Sequence, residues 1–178
     1  HSPAFFDIQK LQAFNGEYIR KMPLEVFIAE CEPFLTGETM PWPAGNFKQD
    51  IFRGMAELVQ TRVTALTEVP AMVDFFFLDE PAIDEASWAK ATKDEWASAV
   101  LSETAAAYAT AEWNHDSLKA VIEQVGEKHG LKLGKVQAPI RVAITGRTVG
   151  PPLFESLELL GRETTLARLA AASQRLAK

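Results

Sequence analysis

The stretch Leu24-Glu25-Val26-Phe27-Ile28-Ala29-Glu30-Cys31-Glu32-Pro33-Phe34-Leu35 sets the fold class. Leu24, Phe27, Ile28, Cys31 and Leu35 fall at i, i+3, i+4, i+7 and i+11, the spacing of a stripe that faces the core from one side of an α-helix. Met22-Pro23 in front of it agrees, because proline disfavours helical geometry in the preceding residue and suits the first turn of a new helix. Cys31 belongs to the stripe and reads as a packed thiol rather than a nucleophile, as free cysteine usually behaves as a small buried hydrophobe.

The same period extends in both directions. Upstream, residues 8–21 predict a helix with Leu11, Phe14, Tyr18 and Ile19 on one stripe, interrupted at Asn15-Gly16. Downstream, proline and glycine mark a loop from Thr36 to Gly45. Residues 47–61 then present Ile51, Met55, Leu58 and Val59 inward, and a further turn with Val63 and Leu66 is expected to stop at Val69-Pro70. Residues 72–78 read as a short buried helix ended by Glu80-Pro81. Asp84, backed by Glu85, is a candidate N-cap. Helices follow over 93–111 and 117–129, the latter closed by Gly130 as a left-handed cap. Residues 131–139 lead into a short apolar helix, 140–144, broken at Thr145-Gly146; the last two helices are 152–160, ended by Gly161, and 162–176. No run alternates apolar and polar residues between turn signals, so the expected fold is all-α, two small helical-bundle subdomains meeting around residues 79–86.

Composition bounds the function. The chain has 178 residues, 47% of them hydrophobic, with 11 Phe, 4 Trp and a 24% charged fraction, which is ample apolar area to offset chain entropy. One cysteine excludes an intramolecular disulfide and fits a reducing compartment, with the cytoplasm as the expected location. The longest apolar run, Val73 to Leu78, contains an acid and falls far short of the roughly 18 to 20 residues of a membrane helix. His1-Ser2 carries no initiator methionine and reads as the start of a piece begun mid-protein. The net charge of −6 is unevenly spread. Residues 1–126 carry nine Lys and Arg against twenty Asp and Glu, while residues 127–178 carry nine against four. Two readings fit: a C-terminal third that faces a polyanion, or a solvated basic end.

Chemistry-bearing motifs are scarce. His1, His115 and His129 stand apart, no helical pair of metal ligands occurs, and one cysteine supplies no tetrahedral zinc set, so no metal site is expected. There is no phosphate-binding glycine loop and no nucleophile elbow. Asp79-Glu80 and Asp94-Glu95 read as solvated first-turn acids. The residues describe a binding or scaffolding piece rather than a self-sufficient enzyme.

The most distinctive segment is Gly134-Lys135-Val136-Gln137-Ala138-Pro139-Ile140-Arg141-Val142-Ala143-Ile144-Thr145-Gly146-Arg147. It is expected to juxtapose short helix ends and free backbone donors beside Gly146 and Gly150, with Lys132, Lys135, Arg141 and Arg147 within sixteen positions. That composition suits single-stranded nucleic acid, where cations fix phosphates and arginine planes stack on bases. A glycine-rich turn between bundle helices, its basic residues merely solvated, fits the same residues.

The stretch from Leu131 to Gly146, followed by Pro151-Pro152-Leu153-Phe154-Glu155 and Leu159-Leu160-Gly161-Arg162-Glu163, resembles the anticodon-binding C-terminus of bacterial glutamyl-tRNA synthetases. Phe6-Asp7-Ile8-Gln9-Lys10-Leu11 with Phe14-Asn15-Gly16-Glu17-Tyr18-Ile19-Arg20 is similar to the segment that leaves the stem-contact fold in that family. The resemblance implies an α-helical anticodon cage divided as 1–22 (tail of the stem-contact region), 23–82 and 83–178, reading the CUC or UUC anticodon of tRNA-Glu. It implies anticodon contacts from Arg62, Arg141, Thr145, Arg147, Pro151, Leu153 and Phe154, with Lys132 and Lys135 on the tRNA backbone. Arg62 falls where the family places arginine or glutamine beside the third anticodon base, arginine going with preference for glutamate tRNA. Gly150 departs from members that carry Thr or Ser before the proline. The family's ATP- and Mg-dependent ligase chemistry belongs to upstream signatures absent here, so the piece itself is expected to be non-catalytic, cofactor-free and monomeric. A rival from another class is a helical protein-interaction module docking through Met72 to Leu78.

Overall fold

The Leu24–Leu35 helix buries the face its spacing predicts: Phe27, Ile28, Cys31 and Leu35 are buried and Leu24 is half-buried. The computed structural model describes residues 7–37, 40–43 and 45–177; His1, Phe6 and parts of the predicted 36–45 loop lie outside them. Among the described residues there are helices and no strands. The chain divides into two compact units, 1–77 and 78–178. The division precedes the sequence boundary because Phe77 stacks edge-on with Trp42 and Phe47, at 5.2 and 5.0 Å between ring centroids, and so belongs with the first unit.

The first unit holds α1 (Ile8–Lys21), α2 (Leu24–Leu35), α3 (Gln49–Gln60), a 3-10 turn Leu66–Glu68, α4 (Val69–Val73) and a 3-10 turn Asp74–Phe76. α1 starts where the Asp7 carboxylate accepts from Lys10 N–H, and the buried Gln60 amide of α3 donates to the Ile19 and Met22 carbonyls at its other end, both at 2.8 Å. That capture turns Gly16 and Ile19 inward and leaves Leu11, Phe14 and Tyr18 exposed, so only Ile19 of the predicted stripe is core. Pro70 does not stop the chain. It occupies the first turn of α4, where its missing N–H costs nothing. Val73, Phe75 and Phe77 are buried inside this unit, with Asp74 also buried. Burial pushes the Cys31 thiol up to about 12, which keeps it inert at neutral pH.

The second unit holds α5 (Glu85–Ala91), α6 (Trp96–Tyr108), α7 (His115–Lys128), α8 (Leu133–Thr145), α9 (Leu153–Leu160) and α10 (Arg162–Leu176). Its single core gathers Trp88, Leu101, Tyr108, Ile122, Ile140, Ile144, Leu157 and Leu169. Asp84 caps α5 by accepting from Ser87 N–H at 2.7 Å, as the sequence indicates. The Ala-rich stretch predicted over 93–111 begins at Trp96 instead, after a turn at Thr92–Glu95. α7 ends in a paired cap, Gly130 N–H to Glu127 O and Leu131 N–H to Gly126 O, with Gly130 at φ +64°. Residues 133–145 form one helix rather than a lead-in followed by a short helix. Pro139 sits buried inside it, and the apolar packing of Val136, Ile140, Ala143 and Ile144 offsets the lost backbone bond.

At the start of α7, His115 donates its backbone N–H to Glu158 of α9 at 3.1 Å, and its Nδ1 lies 2.8 Å from the same carboxylate. The Glu158 contact, helped by Asp116, raises the His115 pKa. A raised folded-state value stabilises the protein fully below the unfolded value near 6.5, and the contribution is lost as pH rises through the folded value. His115→Gln is therefore expected to lower the urea midpoint at pH 5.5 more than at pH 8.5; an equal drop at both would show the pair is electrostatically idle.

Candidate nucleic-acid interface

The connection between α8 and α9 is held from three sides. Gly146 takes φ +81° and donates its N–H to Val142 O at 2.9 Å, closing α8 with a left-handed cap. Its carbonyl accepts from Asp84 N–H at 2.8 Å. A Cβ at this position would fall 2.7 Å from the Ala82 carbonyl carbon and closer still to its oxygen, so only glycine fits both the angle and the space. The backbone donor at Gly146, expected to be free, is thus occupied.

Thr145 is buried, and its hydroxyl reaches the Arg141 and Arg147 carbonyls at 2.9 and 3.1 Å. The Arg141 guanidinium donates to Pro151 O at 2.7 Å across the loop. Ser87 Oγ lies 3.4 Å from Thr148 N and 3.5 Å from Thr148 Oγ1, tying the loop's middle to α5. Arg147 is half-buried, and its charge adds to the Ser87 hydrogen bonds that hold the Asp84 carboxyl below its usual range. Pro151 and Leu153 are buried, and Phe154 is half-buried against the core. Pro152 precedes the first turn of α9, and Ser156 Oγ returns a hydrogen bond to its carbonyl at 2.6 Å. Thr145, Pro151 and Leu153 accordingly shape the loop from beneath, whereas Arg141, Arg147 and Phe154 keep part of their surface.

The basic excess of the C-terminal third is largely committed inside the unit. Arg168 is 5% exposed and donates to Ile144 O at the end of α8 and to Leu78 O, at 2.8 and 2.9 Å. Arg162 closes the end of α6 through the Ala109 and Ala111 carbonyls and lies over Trp113 at 5.3 Å. Arg175 stacks on Trp88 at 4.9 Å and pairs with Glu85. Lys128 faces Glu103 at 3.5 Å. Lys135 lies over Trp96 at 5.3 Å with Asp94 at 3.5 Å. Lys132, at the N-cap of α8, is exposed and pairs with no described residue. These capping arginines escape a reading of sequence, because an arginine that closes a helix end is known only once the helices are packed.

Arg62 belongs to the first unit, just past α3. It is exposed, and its Nη1 donates to Leu58 O at 2.8 Å and to Thr61 Oγ1 at 3.1 Å. Those two bonds fix the guanidinium plane while its remaining donors stay available to an incoming acceptor. Among the described residues no group of three or more His, Cys, Asp or Glu is placed to hold a metal, and no helix is long and apolar enough to cross a membrane.

This helical arrangement occurs in solved tRNA ligases. A glutamate tRNA ligase from Elizabethkingia meningosepticum, in complex with its amino acid, matches with a TM-score of 0.79 at 23% identity over 96% of this chain and 33% of its own. Glutamate-tRNA synthetase from Elizabethkingia anophelis gives 0.74 at 24%, over 95% and 32%. At such identities the likeness shows the fold alone, an all-helical arrangement. The family described as the anticodon binding domain matches residues 26–173, and the chain belongs to that family. Similar curated proteins include the glutamate–tRNA ligases of Frankia casuarinae, 55% identical over 98% of this chain, Salinispora tropica, 56% over 98%, and Streptomyces coelicolor, 48% over 99%. The chain spans 37%, 38% and 36% of their respective lengths.

Gly146→Ala is expected to destabilise the protein by about 2 to 4 kcal/mol, combining left-handed strain with overpacking against Ala82. Urea unfolding measures it, and a loss under about 0.5 kcal/mol, the range of a neutral surface change, would refute the cap's role.

Proposed function

We propose that this chain is the anticodon-reading, C-terminal part of a glutamate–tRNA ligase and that its partner is tRNA-Glu. The tethered α8–α9 loop carries the reading, with Arg141, Arg147 and Phe154 at its surface over a rigid base of Thr145, Pro151 and Leu153. A fixed platform of this kind suits an unpaired anticodon, whose splayed bases meet preset donors and stacking planes. High identity to glutamate–tRNA ligases over nearly the whole chain supports the choice of partner. Arg62 reads the third anticodon base, its plane held by Leu58 and Thr61. In this reading the ATP- and magnesium-dependent joining of glutamate to tRNA is the work of the longer enzyme, and this chain performs recognition as a monomer in the cytoplasm. The rival docking reading loses its support, since Val73, Phe75 and Phe77 are interior to the first unit.

Fluorescence anisotropy with anticodon stem-loops tests this. The chain is expected to favour the CUC and UUC loops over an unrelated loop, and Arg62→Gln to relax choice at the third base. Lys132→Ala weakens binding across sequences and lowers the salt slope by about 1, while Lys135→Ala, its charge already satisfied by Asp94 and Trp96, does so less. Equal affinity for glutamate and unrelated loops would overturn the assignment.

A further inference from the structure

Val149 is the one large hydrophobic side chain of the second unit that stands fully exposed among the described residues, at 74%. A lone exposed apolar residue is ordinary on a free surface loop. This loop is not free. Thr145 holds it at Arg147, Ser87 holds it at Thr148, and Arg141 holds it at Pro151, so the residue is flanked on both sides by fixed backbone. The entropy of ordering the loop is spent before any partner arrives, which is the condition under which an exposed apolar side chain adds affinity.

Its immediate surroundings name the chemistry. The next residue, Gly150, has no side chain, and a Cβ built there would meet only Arg141 Nη1, at 3.8 Å, so the backbone lies open beside a guanidinium. An apolar knob and a bare stretch of backbone, with the Arg141 guanidinium of α8 beside that backbone, together suit a nucleotide: the knob packs on the flat face of a base, the bare backbone admits the sugar, and the cation lies near a phosphate. We infer that Val149 is a further contact residue for the anticodon loop, packing against one unstacked base without reading its edge. The contact rests on the proposed function. Because every base has an apolar face, Val149 contributes affinity across sequences and leaves base choice to the polar groups.

The test is anisotropy of the full chain with glutamate and unrelated anticodon stem-loops, comparing wild type, Val149→Ala, Val149→Asp and Val149→Phe. Val149→Ala is expected to weaken binding to every loop about 3- to 10-fold, with the ratio between loops and the salt slope unchanged. Val149→Phe is expected to restore or exceed wild-type affinity, and Val149→Asp to weaken it most. Circular dichroism melts should hardly move, as most of the side chain is exposed. Wild-type affinity in both Val149→Ala and Val149→Asp, with binding to the glutamate loop intact, would overturn the inference while leaving the proposed function standing. Failure of the wild-type chain to bind any loop would overturn both.

Discussion

The carboxyl end of α8 is the constraint on which the second unit's surface depends. Gly146 must be left-handed to close the helix, must lack a Cβ to pass Ala82, and must offer its carbonyl to Asp84 N–H. Arg168 reaches the neighbouring Ile144 carbonyl from within the core, placing a buried positive charge where the helix dipole is negative. Each group answers a backbone polar atom that would otherwise lie buried and unpaired, at a cost of about 1 to 3 kcal/mol each. With the helix end fixed, the direction of the chain leaving it is fixed as well, and the loop to α9 inherits that direction.

What the loop inherits is rigidity in a solvent-facing place. Thr145, Ser87 and Arg141 each spend a side chain on the loop's own backbone, an arrangement that adds little to a core but holds exposed groups still. Recognition of a flexible single strand gains from this, because one partner's entropy is already lost before contact. Arg62 in the first unit shows the same economy, its guanidinium braced by a helix-end carbonyl and the adjacent hydroxyl.

The sequence showed helix positions wherever a stop signal acts locally. Met22-Pro23, Gly130 and Gly161 end their helices as read, and the stripe of α2 is buried as spaced. It failed where distant packing overrules a local signal. Pro139 reads as the end of a lead-in and Pro70 as a stop, yet one is carried inside a helix by the core around it and the other sits in the first turn of α4. The stripe of α1 was legible as a pattern, but the Gln60 amide of α3 decides which side faces inward. Charge followed the same rule. Counting cations located a basic third of the chain, while the roles of Arg162, Arg168 and Arg175 as helix closures and stacking partners exist only in the packed unit. The candidate residues 141–154 were found as a cluster through resemblance; which of them keep surface and which support from beneath is set by burial.

The central claim is the proposal that residues 141–154 of the second unit and Arg62 of the first each contact an anticodon. Amide chemical shifts of the isotope-labelled chain, followed through a titration with the anticodon stem-loop of glutamate tRNA, test it most directly. The account predicts that the largest changes fall at Arg62 and between Arg141 and Phe154, with little change at α1 or the α6–α7 connection. Changes centred elsewhere, or none at saturating RNA, would contradict it.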